Sequence, residues 1–306
     1  MTQIFIDGAA GTTGIQIRER LAGRSEFSLI ELDDSARKDD AARAQAINAA
    51  DIVILCLPDD AARAAVAMIA NEHTRVIDAS TAHRTAAGWV YGLPEISGHE
   101  AVAGARFVSN PGCYSTGFIA LVAPLVAAGL IPADAPLSCN AVSGYSGGGK
   151  AMIAEFENGD GAPTAWRTYA LTLGHKHVPE MQARCGLAHA PLFAPAVVPV
   201  YSGMVVDVPL HSAMLAPGTS AATLRAALAD HYGASPIITV AQGYEPATLP
   251  IELMKDSDGM RLFVFGEGAQ VRLVAALDNL GKGASGAAVQ NLNLMAGLPE
   301  TTGLRL

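Results

Sequence analysis

The chain reads as an α/β protein in which a doubly wound, mostly parallel sheet is followed by an α/β region built on a mixed or antiparallel sheet. Three observations predict this. The first third alternates short apolar runs with helical patterns at the rhythm of βαβ units. A small-residue turn, Gly8-Ala9-Ala10-Gly11-Thr12-Thr13-Gly14, follows the opening strand and leads straight into a helical pattern. Beyond about residue 115 the apolar runs lengthen and follow one another with fewer helices between them.

Taken in order, strands are expected near 3–7, 28–32, 51–57, 74–78 and 105–109, and helices near 14–23, 39–50 and 59–71. An apolar helical run opens just after residue 112. Later strands are expected near 136–143, 196–208, 236–241, 260–266 and 269–277, and residues 284–295 read as a closing helix. Repeats, low-complexity tracts and an obvious linker are all missing from the sequence.

The opening turn has the context of a dinucleotide site. Gly8, Gly11 and Gly14 permit a tight turn, and the N–H groups around Thr12 and Thr13 lie at a positive helix end suited to a pyrophosphate. The same glycines also suit a helix that merely packs close to a strand. The second strand ends in Glu31-Leu32-Asp33-Asp34-Ser35-Ala36-Arg37-Lys38, which holds both an acidic ribose clamp favouring NAD and a Ser35/Arg37 pocket favouring the 2′-phosphate of NADP. The residues alone leave that choice open.

Composition narrows the function classes. A length of 306 residues allows two domains with cores of their own, and half the residues are apolar while 16% are charged. A net charge of −9 without any Lys/Arg-rich run argues against a nucleic-acid surface. No apolar stretch reaches the roughly 18 residues of a membrane span, and the first residues enter a strand without a basic leader. The expectation is a cytoplasmic protein acting on a small molecule.

Four cysteines, Cys56, Cys113, Cys139 and Cys185, lack short paired spacings, so neither a disulfide framework nor a zinc motif is expected. Cys56 and Cys139 sit inside apolar runs and read as packing, as does Cys185. Cys113 differs. It follows Asn110-Pro111-Gly112 on a turn just ahead of a helix, where helix N–H groups favour a thiolate. Downstream, His175-Lys176-His177-Val178-Pro179-Glu180 sets two imidazoles two residues apart with a carboxylate three beyond. No third and fourth ligand follow at metal spacing, so the reading is a general acid/base, His177 oriented by Glu180, with His175 beside it. Pro179 marks a helix start.

These motifs, in this order, resemble the N-acetyl-gamma-glutamyl-phosphate reductase family in its shorter form. The resemblance spans essentially the whole chain: Ile6 to Gly14, Asp78 to Arg84, Tyr91 to Glu95, Asn110 to Tyr114, Val142-Ser143-Gly144, His175 to Glu180, and Asp278-Asn279 to Gly286. It implies a Rossmann domain joined to a semialdehyde-dehydrogenase-like catalytic domain, NADP as cofactor, an acyl phosphate substrate in arginine biosynthesis, and Cys113 as the nucleophile of a thioester mechanism. On that basis residues 1–112 form the NADP-binding domain, 113–283 the catalytic and dimerisation domain, and 284–306 a helix returning to the first. Ser80, Asn279 and Gly283 are then expected near the cofactor. Arg84, Asn110, Ser143 and Lys150 are expected to meet substrate carboxylate or phosphate, and a homo-oligomer, dimer or tetramer, is expected. Lys176 and Val178 depart from the residues usual in longer members, which bears on the substrate pocket rather than the chemistry. A reductase of aspartyl phosphate or of a carrier-bound aminoadipyl phosphate, a non-acylating Rossmann oxidoreductase and a nucleotide sensor are the alternatives.

Overall fold

The computed structural model describes residues 1–33, 35–159, 164–243 and 246–306. Asp34, part of the stretch expected at the cofactor ribose, lies outside the described residues. The chain divides into two compact units, Met1–Pro111 with Ala284–Leu304, and Gly112–Gly283 with Arg305–Leu306. Each is α/β, as the alternating sequence pattern predicts.

In the first unit the order is β1 (Thr2–Asp7), α1 (Thr12–Leu21), β2 (Phe27–Ile30), α2 (Asp40–Ala49), β3 (Ile52–Leu55), α3 (Asp59–Ala67), β4 (Arg75–Asp78), β5 (Val90–Tyr91), α4 (Pro94–Ser97), α5 (His99–Gly104) and β6 (Phe107–Ser109). The strands form one parallel sheet in the order β2-β1-β3-β4-β6-β5. Alternate residues of each strand face opposite ways, so Ile4, Ile6, Ile52 and Ile54 pack on one face. Phe5, Val53 and Leu55 pack with Ala46, Ile47 and Ala62 on the other. Burial on both faces explains why these strands are continuous apolar runs in the sequence. The short edge strand β5 and helices α4 and α5 were not expected; two strand residues carry no readable period.

The second unit starts with α6 (Cys113–Ala127) and continues through β7 (Ser138–Gly144), α7 (Gly149–Asn158), β8 (Arg167–Thr168), α8 (Val178–Cys185), β9 (Leu192–Val198), β10 (Met204–His211), α9 (Ala221–Tyr232), β11 (Ile238–Val240), β12 (Met260–Phe265) and β13 (Gln270–Leu277). Its seven strands form a mixed sheet in the order β11-β12-β13-β10-β7-β9-β8. The β7/β9 and β11/β12 pairs are parallel and the others antiparallel. A closing helix, α10 (Gly286–Met295), belongs to the first unit, where Val289 and Leu292 join the core above Ile4 and Ile17.

One expected strand is corrected. The run 196–208 is two strands, β9 and β10, because the chain reverses between them. Pro199 cannot extend a ladder, and Gly203 turns at φ +118° with its α-carbon so close to Ile251 that a Cβ would lie 2.5 Å from the Ile251 carbonyl oxygen.

Helix α6 is what positions the second unit's chemistry. Every residue from Tyr114 to Leu125 is buried, as expected of a helix apolar all round its circumference. Gly117 lets it settle onto the sheet: a Cβ there would lie 2.8 Å from Val206 Cγ2 of β10. Cys113 is thereby fixed at the first residue of a helix that has no freedom to shift.

Candidate active site

In the nucleotide unit the loop after β1 is built on glycines. Gly8 adopts φ +88°, and a Cβ on it would fall 2.3 Å from the Cys56 carbonyl oxygen. Gly11 N–H closes the turn on Gly8 O at 2.9 Å. At Gly14 a Cβ would meet Gly8 O at 2.6 Å. The first turn of α1, including Thr12 and Thr13, has neither an acidic residue nor a side-chain cap. Its N–H groups therefore present the uncompensated positive end that suits a pyrophosphate.

Beside this turn lies a cavity of about 320 Å³ whose lining includes Asp7, Gly8 to Ala10, Leu29 to Leu32, Leu57, Ala61, Arg18, Arg37 and Arg43. Arg43 reaches Asp7 Oδ2 through Nε at 3.2 Å and Nη2 at 2.8 Å. Arg18 pairs with Glu31 at 2.8 Å, and Arg37 Nε donates to Leu32 O at 3.1 Å. Ser35 is exposed and bonds within its own turn: its hydroxyl donates to Asp33 Oδ1 at 2.7 Å, which with the Ala36 N–H holds the Asp33 carboxyl below its usual range. Glycine loop, uncapped helix end and basic cavity together fit a nicotinamide dinucleotide.

At the carboxyl ends of β4 and β6 sits a buried polar network. Asp78 Oδ2 accepts from the Ser80 hydroxyl at 2.7 Å and lies 2.6 Å from His83 Nδ1, whose ring stacks on Trp89 at 4.1 Å. Arg84 is buried, with Nε donating to Asn110 O at 3.0 Å and Nη2 to Ala79 O at 3.3 Å. The Asn110 amide donates to Ala284 O at 2.9 Å and accepts from Asn291 at 3.1 Å. Arg84 and Asn110 thus brace the loop that precedes the cysteine.

In the second unit, the half-buried Cys113 opens α6, and its neighbour Gly112 donates its N–H to the buried carboxylate of Glu180 at 3.2 Å. Helix α8 starts at Val178 and His177 caps it. The His177 N–H donates to His175 Nδ1 at 3.1 Å, which leaves Nε2 of a neutral His175 as the protonated nitrogen. Ser115 Oγ donates to His177 O at 3.4 Å, fastening this turn to α6. The two imidazoles stand edge to face with centroids 4.7 Å apart, and the Tyr114 ring lies 5.9 Å from His177 and 6.2 Å from His175. Thiol, imidazoles and carboxylate, separated by more than sixty residues of sequence, form one cluster.

The semialdehyde dehydrogenase NAD binding domain family matches residues 3–105, and the semialdehyde dehydrogenase dimerisation domain family matches residues 113–279. An N-acetyl-gamma-glutamyl-phosphate reductase of Rhizobium etli is 52% identical over 305 residues, covering 96% of this chain and 98% of the relative. The chain belongs to the N-acetyl-gamma-glutamyl-phosphate reductase family. An N-acetyl-gamma-glutamyl-phosphate reductase 2 of Nostoc is 47% identical, with 99% of both chains covered. Among solved structures, aspartate semialdehyde dehydrogenase II of Vibrio cholerae complexed with ASA superposes with a TM-score of 0.73 at 19% identity, covering 97% of this chain and 98% of that one, a likeness of fold.

Within this reductase fold the remaining expected residues have distinct places. Asn279 is buried; its Nδ2 donates to Ser146 Oγ at 2.9 Å and its Oδ1 accepts from Gly203 N–H at 2.9 Å, so the amide latches the glycine-rich turn 145–148. Gly283 packs on Cys113 itself: a Cβ would lie 2.9 Å from Cys113 Cβ. Ser143 is buried at the end of β7, within hydrogen-bond reach of the Tyr114 phenol. Lys150 is exposed on α7.

Residues that sequence reasoning missed are Arg18 and Arg43 in the cavity beside the glycine turn and the tyrosine pair beside the cysteine. Tyr169 donates to the Tyr114 hydroxyl at 3.1 Å, and Tyr114 donates on to Ala196 O at 3.2 Å. Burial pushes Tyr169 up to about 12 and raises Tyr114 well above the ordinary phenol range, and both phenols feel the Cys113 sulfur. Tyr114 was readable as the neighbour of Cys113; nothing local marks Tyr169. Desolvation disfavours the other thiolates: Cys56 is pushed up to about 12, and Cys139 and Cys185 further. Among the described residues no group of three or more His, Cys, Asp or Glu could hold a metal ion, and no helix is long and apolar enough to cross a membrane.

Proposed function

We propose that the protein reduces N-acetyl-glutamyl 5-phosphate to N-acetyl-glutamate 5-semialdehyde, releasing phosphate, with NADPH as reductant. The observation that carries this reading is Cys113 at the first position of a helix buried from Tyr114 to Leu125, beside the His175/His177 turn and the Glu180 carboxylate. The relatives' shared name supplies the substrate, and three arginines lining the cavity beside the glycine turn support a 2′-phosphorylated cofactor.

Cys113 sulfur attacks the acyl carbon, the carbon–oxygen bond to phosphate breaks, and inorganic phosphate leaves a thioester. The bound cofactor supplies hydride chemistry at that carbon. His177 then hands a proton to the thiohemiacetal oxygen or takes it back as the carbon–sulfur bond breaks, returning the thiolate and the aldehyde. N–H groups of the first turn of α6 stabilise the oxyanion. Glu180 bonds to the Gly112 N–H, so it acts on the nucleophile's turn as well as beside the imidazoles. The functional form is a homo-oligomer assembled through the dimerisation unit, and its setting is the cytoplasm.

The test is phosphate-dependent reduction of NADP by N-acetyl-glutamate 5-semialdehyde, with aspartate semialdehyde run alongside. Cys113→Ser is expected to fold, to bind cofactor, and to lose at least about three orders of magnitude of turnover. Retention of a tenth of wild-type turnover sinks covalent catalysis, and faster reaction of aspartate semialdehyde sinks the substrate assignment.

A further inference from the structure

Glu31 stands one residue past β2, where an acidic side chain accepts hydrogen bonds from a ribose 2′-hydroxyl and repels a 2′-phosphate. Its presence opposes the NADPH reading. The structure shows what answers it: Arg18, on the outer side of α1, donates Nη2 to Glu31 Oε1 at 2.8 Å, and both line the cofactor cavity. The second acid facing that cavity, Asp7, is covered in the same way by Arg43. Two acidic residues therefore line the cavity with three arginines, the third being Arg37. Ser35, the hydroxyl that the sequence offers for a phosphate, donates to Asp33.

We propose that Arg18 is a specificity-determining residue, which neutralises Glu31 so that a site carrying an NAD-type acid accepts a 2′-phosphorylated cofactor. The inference rests on the NADPH reading. Arg18 acts through Glu31, so its removal exposes a carboxylate that discriminates between the two cofactors in opposite directions: it repels a dianionic 2′-phosphate and accepts from a free 2′-hydroxyl. Neither partner is buried, the side chains being 43% and 64% exposed, so replacing them leaves the fold intact.

The test is calorimetric binding of adenosine 2′,5′-bisphosphate and of 5′-AMP to the full-length protein, which reads the adenosine end of the site without turnover. Wild type is expected to prefer the bisphosphate. Arg18→Gln is expected to shift the ratio of the two dissociation constants toward AMP by at least about fivefold, with an unchanged melting temperature. Arg18→Lys, which keeps the charge, is expected to hold most of the preference. The double variant Arg18→Gln/Glu31→Gln is expected to return to within about twofold of the wild-type ratio, because the group that needed masking is gone. A ratio untouched by Arg18→Gln overturns the inference and leaves the NADPH reading standing. A double variant as impaired as the single one also overturns it, since Arg18 would then be a direct phosphate ligand. Wild type binding AMP as tightly as the bisphosphate overturns the NADPH reading, and the inference with it.

Discussion

Gly283→Ala puts one methyl group against Cys113, the proposed nucleophile. Built on the observed backbone, that methyl lies 2.9 Å from Cys113 Cβ, 3.0 Å from Asp278 O and 3.3 Å from Cys113 Cα. Carbon pairs rest at about 3.5–4.0 Å, so the two segments must part by roughly 0.6–1 Å along the Cys113 direction. Helix α6 cannot slide as a whole, being buried along its length and seated on Val206 through Gly117. The strain is therefore absorbed at the helix's first residue, which carries the thiol. Overpacking of this size costs about 1–3 kcal/mol of stability, a drop in melting temperature of about 2–4 °C per kcal/mol for a chain this long. Turnover is more sensitive, because a misplacement near 1 Å costs on the order of a hundredfold in a reaction that depends on alignment. Steady-state phosphate-dependent NADP reduction, paired with the rate of Cys113 alkylation by iodoacetamide, measures both effects. The expected result is a ten- to hundredfold fall in kcat, on the order set by that alignment cost, with cofactor affinity unchanged. Gly104→Ala, where a Cβ meets nothing within 4 Å, serves as the neutral control. A Gly283→Ala enzyme that loses stability yet keeps kcat within about twofold refutes the reasoning, because the methyl was then accommodated away from the thiol.

Other consequences follow from the same cluster. His177→Asn is expected to cut the rate by about two to four orders of magnitude with little change in KM, the size of a lost general acid; a pH–rate profile that keeps both wild-type limbs would move the proton to another group. His175→Asn disturbs the acceptor of the His177 N–H and is expected to act mainly on KM, so a loss confined to kcat counts against that division of roles. Stability is expected to fall with alkali. Tyr169 is pushed up to about 12 in the fold, while an unfolded phenol ionises near 10. The unfolded state thus binds fewer protons between those values, and the stabilisation, full below about pH 10, is lost toward pH 12. Denaturant titrations of Tyr169→Phe between pH 9 and 11 check this: a slope with pH equal to that of wild type excludes Tyr169 as a contributor.

Local patterns carried a good part of the fold and the site. The glycine turn after β1 was readable because a tight turn and a close approach to Cys56 tolerate no side chain, so the requirement is written in the residue types themselves. Cys113 was readable for a similar reason: a Pro-Gly turn before an apolar run announces a helix start, and a cysteine there has an electrostatic reason to react. The parallel sheet followed from apolar runs spaced by helical patterns. The run 196–208 misled because valines and other apolar residues stand on both sides of the reversal, and only the Pro199 to Gly203 stretch hinted at it.

What the sequence by itself determined is the set of features that depend on neighbours within a turn or two of chain: the glycine turn after β1, the cysteine at a helix start, the paired histidines before another. Only the tertiary structure decided the pairings made across the sheets. It set Glu180 on the Gly112 N–H, Gly283 against Cys113, Tyr169 on Tyr114, Arg43 on Asp7 and Arg18 on Glu31. It also assigned Asn279 to latching a turn and Arg84 and Asn110 to bracing a loop. The physical reason is range. Helix starts and glycine turns are fixed by backbone sterics and hydrogen bonds over a few residues, whereas the partner of a buried carboxylate or guanidinium is whichever group the packed core brings within about 3 Å.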